Sequence, residues 1–208
     1  MFKDRIDAAN QLANRLSAYK NKESKVVLAV PRGGLPLGAI IAKALGADLD
    51  VALSKKIGHP YNKEYAIGAV SLESVILNED LDIPKTYIEE ETKRIRETLK
   101  TRQDQYYKHR TPKILKDKVV IIVDDGIATG NTIMATAQLV HGQQPQKVIV
   151  AVPVAPYSTI HRLEDSPYID EVVCILSPTD FRAVGQYYKN FDQVSDQEAI
   201  KILEEFTP

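Results

Sequence analysis

Residues 119–132 read VVIIVDDGIATGNT. Five apolar residues, Val119 to Val123, make a run of strand length, and the following NTIMATAQLVHG has helical spacing that stops at Gly142. The order is strand, glycine-containing loop, helix. A short run with no polar alternation is the pattern of a strand buried on both faces, which is how parallel sheets are built. The order also occurs upstream, where KVVLAV (25–30) leads into Pro31 and two glycines and then LPLGAIIAKALG, closed by Gly46. Working outward, DLDVALS (48–54), KVIVAV (147–152) and DEVVCIL (170–176) supply three more strands, and a helix is predicted near Ser158 to Glu164. The fold expected is α/β, a mostly parallel five-stranded sheet flanked by helices. Over residues 2–19, Phe2, Ile6, Ala9, Leu12, Ala13 and Leu16 recur every three or four positions, which predicts an amphipathic helix packed on that core.

Between Lys55 and Lys118 the strand and helix alternation breaks. IGHPYNKEYAIG reads as a loop, AVSLESVILN as a hairpin, and Pro84 to about Tyr107 as a long polar helix, with Pro84 suited to a first turn. The organisation expected is a single domain over 1–208, an inserted lid, hairpin and helix region over 57–117, and a C-terminal segment and helix over 177–208. The chain carries 27 Lys and Arg against 28 Asp and Glu, so a general polyanion binder is disfavoured. The charge is polarised along the chain: residues 93–118 hold ten basic side chains and three acids, whereas 164–208 hold three basic and ten acidic. A solvated helix or complementary subunit surfaces explain this more simply than a nucleic-acid face.

The longest apolar stretch, Val148 to Pro156, is far shorter than the ~18 residues of a membrane span. The charged start MFKDRIDAANQ lacks a secretory h-region, so a cytoplasmic protein that engages no membrane is expected. The single cysteine, Cys174, lies in an apolar run and reads as a buried structural thiol. His59, His109, His141 and His161 show no ligating spacing, so no protein-built metal site is expected.

The chemistry is expected in the loops. At 124–132 the backbone N–H groups entering a helix, with the hydroxyls of Thr129 and Thr132, form a donor cradle for a phosphate. Carboxylates touching a phosphate would repel it. Asp124 and Asp125 should therefore accept hydrogen bonds from neutral groups such as a ribose diol. A sugar phosphate satisfies both halves. Neither GxxxxGK[ST] nor GxGxxG is present, which disfavours an ordinary NTPase or a dinucleotide-binding dehydrogenase. The second loop, VPRGGLPLG, exposes Arg32 at the same sheet edge, where open α/β sheets bind ligands. Lys55 and Lys56 end the next strand at that edge, and Lys56 is favoured as the one facing the site. The segment 57–67 carries Tyr61 and Tyr65 and reads either as a lid that can close over a reacting centre or as a hairpin connection.

Together PRGGLPLG, KKIG, AIGAV, VILNEDL, VDDGIATGNT and FRAVGQYY resemble the type I phosphoribosyltransferase family, from about residue 25 to the C-terminus. The resemblance implies binding of phosphoribosyl pyrophosphate (PRPP). Asp124 and Asp125 would bind the ribose hydroxyls, and Gly126, Ile127, Ala128, Thr129, Gly130, Asn131 and Thr132 the 5′-phosphate. Arg32, Gly33 and Gly34, with Lys55 or Lys56, would hold the departing diphosphate. It implies Mg²⁺ carried mainly on PRPP, a small nitrogen-containing acceptor such as a nucleobase, and a homodimer. It makes 177–208 a hood that offers Phe181, Tyr187 and Tyr188 for stacking on the base, core packing being the alternative for any single ring, and Arg182 reads either as a surface cation or as a base or phosphate contact. Gly126 departs from the bulky aliphatic residue common after the second acid. Ala128 stands where enzymes acting on 6-oxopurines carry an acid, which lowers a hypoxanthine or guanine assignment and leaves the general base unassigned.

The function expected is Mg-dependent transfer of 5-phosphoribosyl from PRPP to a nitrogen acceptor with release of pyrophosphate, with Arg32, Lys56, Asp124 and Asp125 as its catalytic groups. Two alternatives stand beside it: a non-catalytic PRPP-sensing regulator that binds nucleic acid through 93–118, and an enzyme that makes or hydrolyses a phosphosugar without a base.

Overall fold

The computed structural model describes residues 1–22, 24–77, 82–107 and 111–206. The last four residues of VILNEDL, His109 and two of the ten basic side chains of 93–118 lie outside the described residues. In chain order the elements are α1 (Arg5–Arg15), β1 (Lys25–Ala29), α2 (Gly34–Leu45), β2 (Asp48–Val51), β3 (Lys55–His59), β4 (Asn62–Val70), β5 (Val75–Leu77), α3 (Lys85–Tyr107), β6 (Val119–Val123), α4 (Asn131–His141), β7 (Lys147–Val154), α5 (Tyr157–Glu164), β8 (Glu171–Leu176) and α6 (Asp196–Glu205). Short 3-10 turns occupy Ser17–Tyr19 and Val184–Tyr187.

β2, β1, β6, β7 and β8 form one sheet in that order, with every pairing parallel. Side chains alternate between its two faces. Val27, Ala29, Ile121, Val123, Ile149 and Ala151 enter the core under α1, α2 and α6. Val26, Leu28, Val120, Ile122, Val148 and Val150 enter the core under α4 and α5. Double-sided burial is why these strands read as unbroken apolar runs.

Three boundaries differ from the sequence reading. The helix predicted over 2–19 is shorter, because Phe2 leaves it to bridge Tyr188, and Ile6 faces solvent at 58% exposure rather than the core. The strand predicted over 48–54 ends at Val51, so Lys55 and Lys56 do not finish it; they open β3 of a second sheet. Residues 57–67 are not a loop. They belong to β3 and β4, which pair antiparallel around a turn at Pro60 and Tyr61. The physical reason is a small core of their own: Ile57, Ile67 and Val70 are fully buried against Ile95 and Leu99 of α3. β4 also pairs with β5, completing the antiparallel sheet β3-β4-β5 and the hairpin read from AVSLESVILN. Among the described residues no helix is long and apolar enough to cross a membrane.

Candidate functional site

β1 and β6 are neighbours in register, with Ala29 beside Val123, so the loops that follow them open side by side at the carboxyl edge of the sheet. The Val30 N–H donates to Val123 O at 2.8 Å, carrying the ladder one step further before the chains diverge. The first loop then turns into α2 through Pro31, Arg32 and Gly33, with the Pro31–Arg32 peptide cis. The second delivers Asp124 and Asp125. The approach between the loops is so close that it dictates glycine. A Cβ on Gly33 would lie 2.1 Å from Asp125 Oδ2, and one on Gly34 would lie 2.5 Å from Val123 O.

Asp125 is anchored from three directions. Arg5, at the start of α1, donates to Oδ2 from Nε at 2.9 Å and from Nη2 at 2.8 Å, and its guanidinium lies 4.0 Å over the Phe191 ring. Arg5 Nη1 also donates to Asp192 O at 2.5 Å. The Tyr188 hydroxyl donates to the Asp125 backbone carbonyl at 2.6 Å. Asp124 Oδ1 accepts from the Asp125 N–H at 2.8 Å. Burial pushes the Asp124 carboxyl well above the usual carboxylate range, and repulsion from Asp125 adds to the effect. Burial raises Asp125 too, but the Arg5 guanidinium opposes it. Burial also pushes the Tyr188 phenol upward, so it remains a donor. The pair therefore offers one carboxylate fixed by a cation and a neighbour whose charged form is disfavoured by burial.

The rest of the loop is a backbone cradle. Ile127 tethers it, with its side chain buried and its N–H donating to Val154 O at 2.9 Å. Ala128, Thr129 and Thr132 are exposed. Gly130 is the N-cap of α4 with no side-chain cap, which leaves the first N–H groups of the helix without a capping side chain. On the far side the Thr159 hydroxyl of α5 donates to Ala128 O at 2.8 Å. Arg162 Nη2 donates to Thr129 O, and to Asn131 Oδ1 at 3.2 Å. Gly126 has φ +158°, and a Cβ there would lie 2.4 Å from Val184 Cγ1. Val184, arriving from the C-terminal segment, fills the space that an aliphatic side chain at 126 would take.

Of the other predicted residues, Arg32 turns outward, its Nη1 3.5 Å from Asp196 Oδ2 at the start of α6. Lys55 is exposed and Lys56 half-buried on β3, opposite Val70 and Ala69. Phe181 and Tyr187 stack on one another at 5.6 Å and 17°, with the Tyr187 hydroxyl donating to Asp180 O at 2.9 Å. Arg182 is exposed beside Asp180. The hairpin reaches the cradle through a cleft of about 260 Å³ in which Tyr65 faces Asn131 and Arg162. Sequence reading gives Arg5, Thr159 and Arg162 no site role and offers Tyr188 only as a ring of the hood, whereas the structure uses its hydroxyl on the Asp125 carbonyl. Only the three-residue spacing of Thr159 and Arg162, which puts both on one helix face, was visible there. Among the described residues no group of three or more His, Cys, Asp or Glu side chains is placed to hold a metal ion.

The family model described as a phosphoribosyl transferase domain matches residues 2–191. Curated proteins of two Mycobacterium tuberculosis strains, CDC 1551 / Oshkosh and ATCC 25618 / H37Rv, both provisionally named phosphoribosyl transferases, are 40% identical over 211 residues. That alignment covers 98% of this chain and 46% of each relative, so the chain spans about half the length of the curated relatives it matches. A crystal structure of TT1426 from Thermus thermophilus superposes with a TM-score of 0.91 at 38% identity, covering 100% of this chain and 99% of that one. A hypothetical protein from Neisseria gonorrhoeae, solved with bound ppGpp, shares the fold at a TM-score of 0.51 and 12% identity, covering 98% and 97% of the two chains.

Proposed function

Starting from the fact that this chain belongs to the phosphoribosyl transferase domain family, we propose that it transfers the 5-phosphoribosyl group of PRPP to a nitrogen acceptor, a nucleobase in the simplest case, and releases pyrophosphate. The observation that carries the reading is the juncture of the two loops, where Gly33 abuts Asp125 so closely that a methyl group does not fit. One loop with a cation and the other with an acid pair and a phosphate cradle thereby serve a single small ligand, charged at both ends and hydroxylated in the middle.

The division of labour follows from the side chains. The N–H groups at the start of α4, with the Thr129 and Thr132 hydroxyls, hold the 5′-phosphate. Asp124 and Asp125 accept hydrogen bonds from the 2′- and 3′-hydroxyls and fix the ring, so that binding energy far from C1′ orients the reacting bond. Arg32, swinging from Asp196, and a lysine of β3 meet the charge growing on the diphosphate oxygen. The C1′–O bond breaks with its electron pair leaving on pyrophosphate. The acceptor nitrogen forms the new bond to C1′ from the opposite face, and its surplus proton passes to solvent or to a base carried by the acceptor site.

The donor set fits a magnesium ion brought by the substrate. Two carboxylates are fewer than a protein-built cage uses, and Mg²⁺ is commonly held by one or two carboxylates together with substrate phosphates. Asp124 and Asp125 are the residues that would meet it, and when bound it neutralises charge on the diphosphate.

The test is titration with PRPP and Mg²⁺, followed by pyrophosphate release with adenine, guanine, hypoxanthine, xanthine, uracil or orotate added singly. Release that requires one base names the acceptor. Release without any base makes the protein a phosphosugar hydrolase instead, and absence of PRPP binding overturns the reading.

A further inference from the structure

We infer that Thr159 and Arg162 of α5 are positioning residues that aim the backbone N–H groups of Thr129 and Gly130 into the phosphate site, an inference that rests on the function proposed above. A trans peptide carries its C=O and N–H on opposite sides, so whatever holds the carbonyl sets the direction of the amide hydrogen. The Ala128 carbonyl shares its peptide with the Thr129 N–H and is held by the Thr159 hydroxyl at 2.8 Å. The Thr129 carbonyl shares its peptide with the Gly130 N–H and is held by Arg162 Nη2. Two successive carbonyls thus face α5, and the two N–H groups face away from it.

The same guanidinium nitrogen donates to Asn131 Oδ1 at 3.2 Å, tying the first residue of α4 to the arrangement. Thr159 and Arg162 are three residues apart, hence on one face of α5, and that face is the one against the loop. Gly130 gives an independent measure of this contact. A Cβ there would lie 2.8 Å from Thr159 Cγ2 and 3.3 Å from Arg162 Nη2, so any side chain would pry the loop from the helix. The bond from Arg162 is charge-assisted and polarises the peptide it holds, which makes the Gly130 N–H a stronger donor to an anion. α4 has no side-chain cap of its own, and the clamp from behind supplies the rigidity that a cap would give.

The experiment is calorimetric titration of the whole chain with ribose 5-phosphate and, separately, with pyrophosphate and Mg²⁺, using Thr159→Val, Thr159→Ser and Arg162→Met. Thermal unfolding of each variant verifies that it is folded. Thr159→Val and Arg162→Met are each expected to weaken ribose 5-phosphate by ~5- to 10-fold, the worth of one hydrogen bond made indirectly, and to leave pyrophosphate within about twofold. Thr159→Ser, which keeps the hydroxyl, restores the wild-type value. Unchanged ribose 5-phosphate affinity in Thr159→Val and Arg162→Met overturns the inference. A parallel loss for both ligands also overturns it, since that is the mark of a role in the fold alone. A wild-type protein that binds pyrophosphate but neither PRPP nor ribose 5-phosphate instead sinks the functional reading from which the inference starts.

Discussion

Replacing Arg5 by Gln removes the cation that fixes Asp125 without removing much packing volume. Both side chains are almost withdrawn from water, at 13% and 14% exposure, and two guanidinium nitrogens converge on one carboxylate oxygen. Deleting one partner of such a pair leaves a buried charge uncompensated and costs about 3–5 kcal/mol. A chain of this size loses ~2–4 °C of midpoint for each kcal/mol, so the melting temperature should fall by roughly 6–20 °C near neutral pH. The pH dependence has a definite sign. Burial already raises the Asp125 carboxyl, and Arg5 is the group opposing that rise, so the variant's carboxyl moves further up. A folded state whose acid has a raised pKa binds more protons than the unfolded chain. The deficit relative to wild type is then complete above the variant's folded pKa and shrinks as pH falls through it toward the wild type's own folded value, since the unfolded value is common to both chains. Thermal unfolding of wild type, Arg5→Gln, Asp125→Asn and the double variant, followed by circular dichroism from about pH 5 to about pH 8, closes the cycle. The double variant should recover most of the loss. A fall of less than ~2 °C in Arg5→Gln, or a double variant as unstable as the sum of the singles, would show that the pair does not hold the acid in place.

Asp124→Asn should separate stability from binding. Burial pushes Asp124 well above its usual range, so wild-type stability falls as pH rises from the unfolded carboxylate value through the folded one; the amide should flatten that slope in thermal melts while lowering PRPP affinity at least ~10-fold, because an NH2 that cannot accept from a ribose hydroxyl replaces one carboxyl oxygen. Gly126→Ala should destabilise by ~1–3 kcal/mol through its clash with Val184, and Val184→Ala in the same chain should relieve much of that in urea unfolding. Arg32→Ala should weaken pyrophosphate binding in calorimetry and leave ribose 5-phosphate unaffected; the opposite selectivity would give the first loop another job.

The five strands were legible because burial on both faces removes polar residues from them, and the acid pair with its Thr and Gly loop was legible as a candidate site because the residue types that phosphate and diol recognition would need fall at adjacent positions. The β3–β4 hairpin was read as a loop because Gly58, His59 and Pro60 punctuate it, while what pairs it, burial of Ile57 and Ile67 on Ile95 and Leu99, depends on a helix about thirty residues downstream. Arg5 was invisible for the same reason on a larger scale, since 120 positions separate it from Asp125 and a lone arginine in an amphipathic helix carries no local signal. Gly126 shows the limit most directly. Read in isolation it loosens the loop, yet Val184 occupies the missing volume, and only the three-dimensional path of the C-terminal segment brings the two together.

That path also explains why both ends of the described chain bear on the acid pair. The Phe2 N–H donates to Tyr187 O at 2.8 Å and the Lys189 N–H donates to Phe2 O at 2.9 Å, which joins the N-terminal segment to the C-terminal one as a single bridge. From the bridge, Arg5 grips the Asp125 carboxylate and Tyr188 grips its carbonyl. Without ligand the site holds two adjacent acids at an energetic cost, one offset by direct contact with Arg5 and the other by the Asp125 N–H and, more weakly, by the charge of Arg5. A ligand that donates hydroxyl hydrogens to these carboxylates offsets that cost, whereas pyrophosphate, an acceptor without such donors, adds negative charge beside them. At equal free concentration, ribose 5-phosphate should therefore raise the melting temperature of wild type more than pyrophosphate does, and the difference should shrink in Asp124→Asn, where one acid no longer needs compensation. Equal shifts in wild type would mean that the diol does not reach the acids, whatever the protein does with the phosphate.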